Sequence, residues 1–136
     1  MNSFVSRALA LCLVLITGPC YAQTRALTES FDLLVGESRM LNNSNILIKF
    51  IAVENDGRCP IGATCVWGGD AEVKFEVSVD GTSHAMTLHT GAGHPDIMPK
   101  EFRIFGVTIS LVKLAPYPND GTAIGRYDYV ATLSIS

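Results

Sequence analysis

The chain has 136 residues, of which 48% are hydrophobic and 17% are charged, and its formal net charge is −3 at pH 7. This mild acidity excludes the basic patch that nucleic-acid binding requires and the polybasic segment that anionic lipids attract. A chain of this length forms one domain with a hydrophobic core but not two.

The first residues have the three parts of a cleavable secretory signal. Residues 1–7 carry positive charge without an acid, and the apolar run of residues 8–18 is shorter than the about 20 residues that span a bilayer. Pro19 then breaks any helix, and small residues at Cys20 and Ala22 occupy the positions that signal peptidase favours. We therefore expect cleavage after Ala22.

A lipid anchor on Cys20 is the alternative to this cleavage. The lipid-attachment pattern has a small residue just before the cysteine, and Pro19 stands there, so we set the anchor aside. Residues 1–22 are thus predicted to be a signal peptide, and residues 23–136 a single β-domain that is exported to the periplasm or the medium. No second apolar stretch of the sequence is long enough to insert into a membrane.

Short strands separated by turn residues are predicted along the whole domain, and no segment after the signal keeps a 3.6-residue period. Asn55-Asp56-Gly57 is among the predicted turns. The predicted strands are residues 31–35, 38–41, 45–54, 72–79, 82–90, 101–105, 107–114 and 127–135. About seven to eight short strands at this spacing predict an all-β fold, either a small antiparallel β-sandwich or a barrel.

The clearest predicted element is a hairpin. Residues 72–79 alternate polar and apolar side chains without an error, and Asp80-Gly81 is the sequence typical of a type I′ turn. A two-residue turn fixes the strand register, which pairs Val77 with His84 and Glu72 with His89.

The most distinctive motif precedes this hairpin. Cys59 and Cys65 are the cysteines left after the signal is removed, and an even pair in an exported chain predicts a disulfide. The chain's only tryptophan, Trp67, follows two residues after Cys65. Gly68-Gly69 then permits a bulge or a close approach of two backbones.

From Asp56 to Gly69 the motif reads D-x-R-C-P-x4-C-x-W-x-G. It resembles a motif of small secreted or lipid-anchored bacterial proteins of unknown function, and residues 112–118 and 127–136 also resemble their C-terminal part. The resemblance implies an exported β-domain and implies no activity.

One interpretation gives this loop a purely structural role. The disulfide then staples a crossover, Trp67 plugs one end of the core, and Arg58 pairs with Asp56 or Asp70 at the surface.

The other interpretation makes the loop a recognition element for an unknown partner, such as an envelope or extracellular protein. A loop closed by a disulfide loses little entropy on binding, and Arg and Trp are frequent among interface hot spots. The candidate recognition residues are Arg58, Pro60, Ile61 and Trp67. A protease inhibitor is an alternative of the same kind, in which the loop between Cys59 and Cys65 presents Arg58 or Ile61 to a specificity pocket.

The histidines raise a further alternative, a periplasmic copper- or zinc-binding protein using His84, His89 or His94. The hairpin register places His84 and His89 on opposite faces of the sheet, so we predict neither a metal site nor a cofactor.

Catalytic motifs are missing from the sequence. There is no Gly-x-Ser-x-Gly elbow, and the spacing of the paired cysteines is not the Cys-x-x-Cys of thiol oxidoreductases. We therefore predict no catalytic residues and a binding or structural module rather than an enzyme.

Overall fold

The computed structural model describes residues 28–91, 97–119 and 121–136, and these residues form a β-sandwich of two four-stranded antiparallel sheets. The predicted signal peptide and His94 lie outside the described residues. The strands are β1 (Glu29–Leu34), β2 (Ser38–Met40), β3 (Ile46–Asp56), β4 (Ala71–Val79), β5 (Thr82–His89), β6 (Glu101–Ile104), β7 (Val107–Ala115) and β8 (Val130–Ile135).

One sheet has the strand order β1-β8-β7-β6, and the other has the order β2-β3-β4-β5. The all-β prediction is therefore confirmed, and of the two architectures that the sequence left open the fold is the sandwich. Among the described residues no helix is long and apolar enough to cross a membrane.

The core lies between the two sheets and follows from the alternation of apolar residues. On β4 the side chains of Val73, Phe75 and Val77 are buried, and the residues between them are not. The rings of Phe50 on β3 and Phe75 on β4 stack with their centroids 5.2 Å apart. Burying each such side chain stabilises the fold by about 1.5–3 kcal/mol, so the core supplies most of the stability.

The β4–β5 hairpin has the predicted register. Val77 pairs with His84, and Glu72 pairs with His89. Asp80 and Gly81 both have positive φ, 48° and 81°, as a type I′ turn requires.

The predicted turn at Asn55-Asp56-Gly57 is wrong, because β3 continues through Asp56. Asp56 does accept the short-range bond typical of Asx turns, from Arg58 N–H at 3.4 Å, but its carboxylate is also held by the Arg58 side chain at 2.8 and 2.7 Å and by the Tyr129 hydroxyl at 3.1 Å. The pairing with the returning chain even continues past the strand, since Gly57 N–H donates to the carbonyl of Asp70 at 2.7 Å and Cys59 N–H to that of Gly68 at 2.8 Å.

The last strand is shorter than predicted. Residues 127–135 were expected to be extended throughout, but β8 begins at Val130 and Tyr127 is exposed. Asp128 N–H donates to the carbonyl of Gly125 at 3.0 Å, which turns the chain just before the strand.

Gly69 lies where two backbones pass closely, as the Gly68-Gly69 pair predicted. Its φ is +76°, and a Cβ placed on it would overlap the carbonyl oxygen of Gly57 and lie 2.8 Å from Cα of Arg58. Nothing lies within 4 Å of a Cβ placed on Gly68. Only the second glycine of the pair is therefore required by the packing.

We expect Gly69→Ala to lower the free energy of unfolding by about 1–3 kcal/mol or more, because it adds backbone strain and a backbone clash. Gly68→Ala is the matched control and is expected to stay within about 0.5 kcal/mol of wild type. Urea unfolding of the two variants measures the difference. Equal unfolding free energies of the two variants would show that the backbones at Gly57 and Gly69 move apart to accept the added Cβ without a loss of stability.

Candidate functional site

The segment that joins β3 to β4, residues 57–70, forms what we call the tip. Cys59 and Cys65 are disulfide-bonded across it with their Cα atoms 6.0 Å apart, which confirms the predicted pair. The tip also touches the other sheet's connection, because Ile61 N–H donates to the carbonyl of Pro118 at 3.0 Å. The disulfide closes the tip, and the backbone bond to Pro118 fixes its position.

Beneath the tip lies a buried hydrogen-bonded cluster of Asp56, Arg58 and Tyr129, which we call the Arg58 clamp. Arg58 Nε donates to Asp56 Oδ1 at 2.8 Å, and its Nη2 donates to Asp56 Oδ2 at 2.7 Å. The same guanidinium reaches the backbone carbonyls of Leu114 at 2.7 Å and Pro116 at 2.9 Å. These bonds tie the β3–β4 hairpin of one sheet to the end of β7 in the other.

Tyr129 completes the clamp by donating its hydroxyl to Asp56 Oδ2 at 3.1 Å. Burial by itself raises the pKa of Asp56, but the hydrogen bonds and charge of Arg58, together with the Tyr129 bond, bring that pKa below its ordinary 3.8. Burial and the neighbouring Asp56 carboxylate raise the pKa of Tyr129 above 10.0. The clamp therefore holds an ionised carboxylate and a neutral phenol.

The structure corrects the predicted place of Arg58. Its pairing with Asp56 is confirmed, but the pair is not at the surface, because Arg58 is only 6% exposed. The ring of Tyr117 also lies 5.0 Å from the guanidinium. Of the candidate recognition residues, Arg58 is thus the most deeply buried.

The purely structural interpretation of the loop, in which Trp67 plugs the core, does not hold for this residue, since Trp67 is 61% exposed. Tyr129, which belongs to the hydrophobic core, and the Arg58 clamp already fill this end of the sandwich. Ile61 is exposed to the same extent as Trp67, Val66 is fully exposed and Pro60 is half-buried. Val66 was missed by the sequence reasoning, although its place between a disulfide cysteine and an exposed ring was a usable signal.

A cleft of about 280 Å³ opens beside the tip, and Trp67 forms one of its walls, so we call it the Trp67 cleft. Ile97, which is largely exposed, and the half-buried Met98 also line it. Its polar lining consists of Asn55, Gly57, Asp70, Glu72 and His89. The cleft therefore combines an apolar wall with two carboxylates.

The buried pair of the cleft is Asp70 and His89, whose Oδ2 and Nδ1 atoms are 2.5 Å apart. Gly91 N–H donates to Asp70 Oδ1 at 2.6 Å, and the Thr90 hydroxyl donates to the same oxygen at 3.3 Å. Burial raises the pKa of Asp70, but the hydrogen bond from His89, the backbone N–H groups of Gly91 and Thr90, and the electrostatic attraction of His89 together lower that pKa below 3.8. The sequence placed His89 beside Glu72 but gave no sign of its bond to Asp70, which lies outside the regular strand.

The predicted metal alternative has no geometry to support it among the described residues. His84 is exposed and His89 is buried, and no group of three or more potential ligands comes together within residues 28–91, 97–119 and 121–136.

We expect Arg58→Ala to lower the free energy of unfolding by about 3–5 kcal/mol, because it leaves the buried Asp56 carboxylate without its cation. Trp67→Ala is expected to cost about 1 kcal/mol, since more than half of the residue already meets solvent. Arg103→Ala, which removes an exposed arginine paired with Glu101, is the control and should change stability by less than about 0.5 kcal/mol. Denaturant titration of the three variants gives the order of their unfolding free energies. A larger loss for Trp67→Ala than for Arg58→Ala would contradict the stabilising role of the Arg58 clamp.

The lowered pKa of Asp56 predicts a pH dependence. The folded chain holds the carboxylate ionised at a pH where the unfolded chain protonates it, so this stabilisation is complete above pH 3.8 and is lost as the pH falls through the lower folded pKa. The difference in unfolding free energy between wild type and Asp56→Asn should therefore be constant near neutral pH and shrink below pH 4. Thermal melts from pH 7 to pH 2.5 measure it; a difference that does not change with pH would contradict the ionised pair.

No family model matches this chain, and no curated protein or solved structure shows significant similarity to it. The resemblance of the D-x-R-C-P-x4-C-x-W-x-G motif to small exported bacterial proteins stays a prediction. The motif nevertheless has a physical meaning in this fold. Its Asp and Arg form the clamp, its cysteines close the tip, its Trp lines the cleft and its last Gly permits the close backbone approach.

Proposed function

We propose that this chain is a non-catalytic binding module and that its recognition element is an apolar patch on the tip, formed by Ile61, Val66 and Trp67. The observation that carries the proposal is the exposure of these three large side chains on the tip, Ile61 within the loop that the disulfide closes and Val66 and Trp67 directly after Cys65. We call them the tip patch. Several large apolar side chains exposed on one short segment are a candidate surface for binding a partner.

The tip is suited to binding because it is held from two directions. The disulfide restrains its shape, and the bond from Ile61 N–H to Pro118 holds it against the opposite sheet. A segment that is already ordered loses little conformational entropy when a partner binds. Tryptophan is also the residue type most enriched among interface hot spots, which places Trp67 at the centre of the proposed contact.

The proposed setting is the periplasm or the extracellular medium, after removal of residues 1–22. The disulfide is consistent with an oxidising compartment. The proposed partner is an envelope or extracellular protein that offers a complementary apolar surface.

The inhibitor alternative is weaker in this geometry. Arg58 is buried, so it does not enter a protease specificity pocket, and only Ile61 is left for that role. The N–H of Ile61 is already bonded to Pro118. We therefore favour a binding module over an inhibitor.

The test compares single alanine variants of the tip patch with Met40→Ala. Met40 is also exposed, but β2 pairs with residues 47–49, at the end of β3 opposite the tip. Protein captured from the native envelope and culture medium is identified with wild type, and its affinity is then measured for each variant. Each tip variant should lose about 1 kcal/mol or more of binding, which is about fivefold. Ile61→Ala and Val66→Ala should melt close to wild type, and Trp67→Ala, with its expected stability loss of about 1 kcal/mol, should still be fully folded at the temperature of the binding measurement.

Met40→Ala should bind the captured partner as wild type does. If the tip variants also keep full affinity, the patch is not the recognition element. If they lose affinity only in proportion to a loss of folded protein, the tip has a structural role.

A further inference from the structure

We propose that the Trp67 cleft binds an alkylammonium group, either the side chain of a lysine on a partner protein or a small organic ammonium ion. The inference deepens the proposed function, on which its protein-partner form rests, because Trp67 belongs both to the tip patch and to the cleft. The juxtaposition that carries it is an exposed tryptophan and two carboxylates, those of Asp70 and Glu72, which line one small cleft.

The charge of the cleft selects a cation. Its lining includes Asp70 and Glu72 and, among the described residues, no lysine or arginine. The nearest cation on the same face of β4 is Lys74, two residues from Glu72, and its ammonium is paired with Glu54 at 3.2 Å. An anion entering the cleft would meet the carboxylates of Asp70 and Glu72.

The two carboxylates differ in what they offer a ligand. Asp70 is engaged by His89 and by Gly91 N–H, so it contributes fixed negative charge rather than a free acceptor. Glu72 is half-buried, and its strand neighbours are Asn55 on one side and His89 on the other. Among the described residues no hydrogen bond or ion pair occupies its carboxylate, so Glu72 is the group that receives the ammonium.

The wall of the cleft favours an ammonium that carries carbon. Trp67 presents the aromatic surface that attracts cations most strongly, and the attraction grows when the cation is partly removed from water. Ile97 and Met98 add apolar surface for methyl or methylene groups. The volume of about 280 Å³ lies below that of a typical drug-sized pocket, which fits a side chain or a small ion rather than a large molecule.

Because Trp67 is the only tryptophan, its fluorescence reports the occupancy of the cleft directly. The probes are choline and its uncharged isostere 3,3-dimethyl-1-butanol, together with lysine amide blocked at the α-amine and the same compound acetylated at Nε. We expect saturable fluorescence changes with the two cations and at least tenfold weaker binding of the uncharged member of each pair. Equal binding within both pairs, or stronger binding of a neutral sugar such as glucose, would overturn the proposal.

The decisive variant is Glu72→Gln, which keeps the shape of the side chain and removes its charge. It should weaken binding of the cations at least fivefold without lowering the melting temperature. Glu76→Gln is the matched control, since Glu76 lies on the same face of β4 but pairs with Ala85 and does not line the cleft. Identical affinities of the two variants and wild type would rule out Glu72 as the receptor group.

Partner capture separates the two sources of the cation and the two proposals. If a captured partner binds Glu72→Gln more weakly than wild type, a lysine of that partner supplies the ammonium. If the partner binds Glu72→Gln as it binds wild type, the natural ligand of the cleft is the small ammonium ion that the fluorescence titration detects. If neither cation binds but Trp67→Ala still weakens capture, only the cleft proposal fails. If the cations bind and the tip-patch variants capture normally, only the proposed function fails.

Discussion

The burial of one arginine determines how this end of the sandwich is built. A guanidinium taken out of water is costly unless its donors find acceptors, and Arg58 meets that condition with the two carboxylate oxygens of Asp56 and two backbone carbonyls at the end of β7. Without Arg58, the carbonyls of Leu114 and Pro116 would need other hydrogen-bond donors at this end of the second sheet. The clamp thus closes the sandwich with polar contacts where the alternating apolar core stops. Since Arg58 and Tyr129 occupy this place, Trp67 remains outside.

The clamp and the disulfide have different tasks. The disulfide spans a short loop, and closing such a loop contributes roughly 2–3 kcal/mol in the chain-entropy model. It joins two residues of the tip to each other, whereas Arg58 joins the tip to the opposite sheet. Loss of the disulfide therefore loosens the tip locally, and loss of the clamp separates the hairpin from β7. The core between the sheets is independent of the disulfide, because both cysteines lie outside the buried cluster.

What the sequence predicted well depended on local rules, and what it predicted poorly depended on distant partners. The β4–β5 register followed from a two-residue turn, and the disulfide followed from an even cysteine count in an exported chain. The burial of Arg58 is set by carbonyls more than fifty positions away, which no local pattern contains. The bond between Asp70 and His89 arises in the same way, because the residue before β4 meets the last residue of β5. The two interpretations of Trp67, a buried plug and an exposed recognition residue, were left open by the sequence, because the space it would have filled is occupied by residues distant along the chain.

In the two proposals, an apolar patch and an acidic cleft that share Trp67 give this surface two separate means of selecting a partner. Apolar contact with Ile61 and Val66 rewards any complementary hydrophobic surface and so provides affinity with little discrimination. A cation over Trp67 and beside Glu72 makes binding selective, because a partner without a positive group in that place would bury the Glu72 carboxylate unpaired. A partner without the cation therefore loses more binding free energy than the ion pair itself contributes. Removing an unpaired carboxylate from water costs more than a surface ion pair gains. In the two proposals the Glu72 carboxylate provides specificity and the patch provides strength, and Trp67 takes part in both.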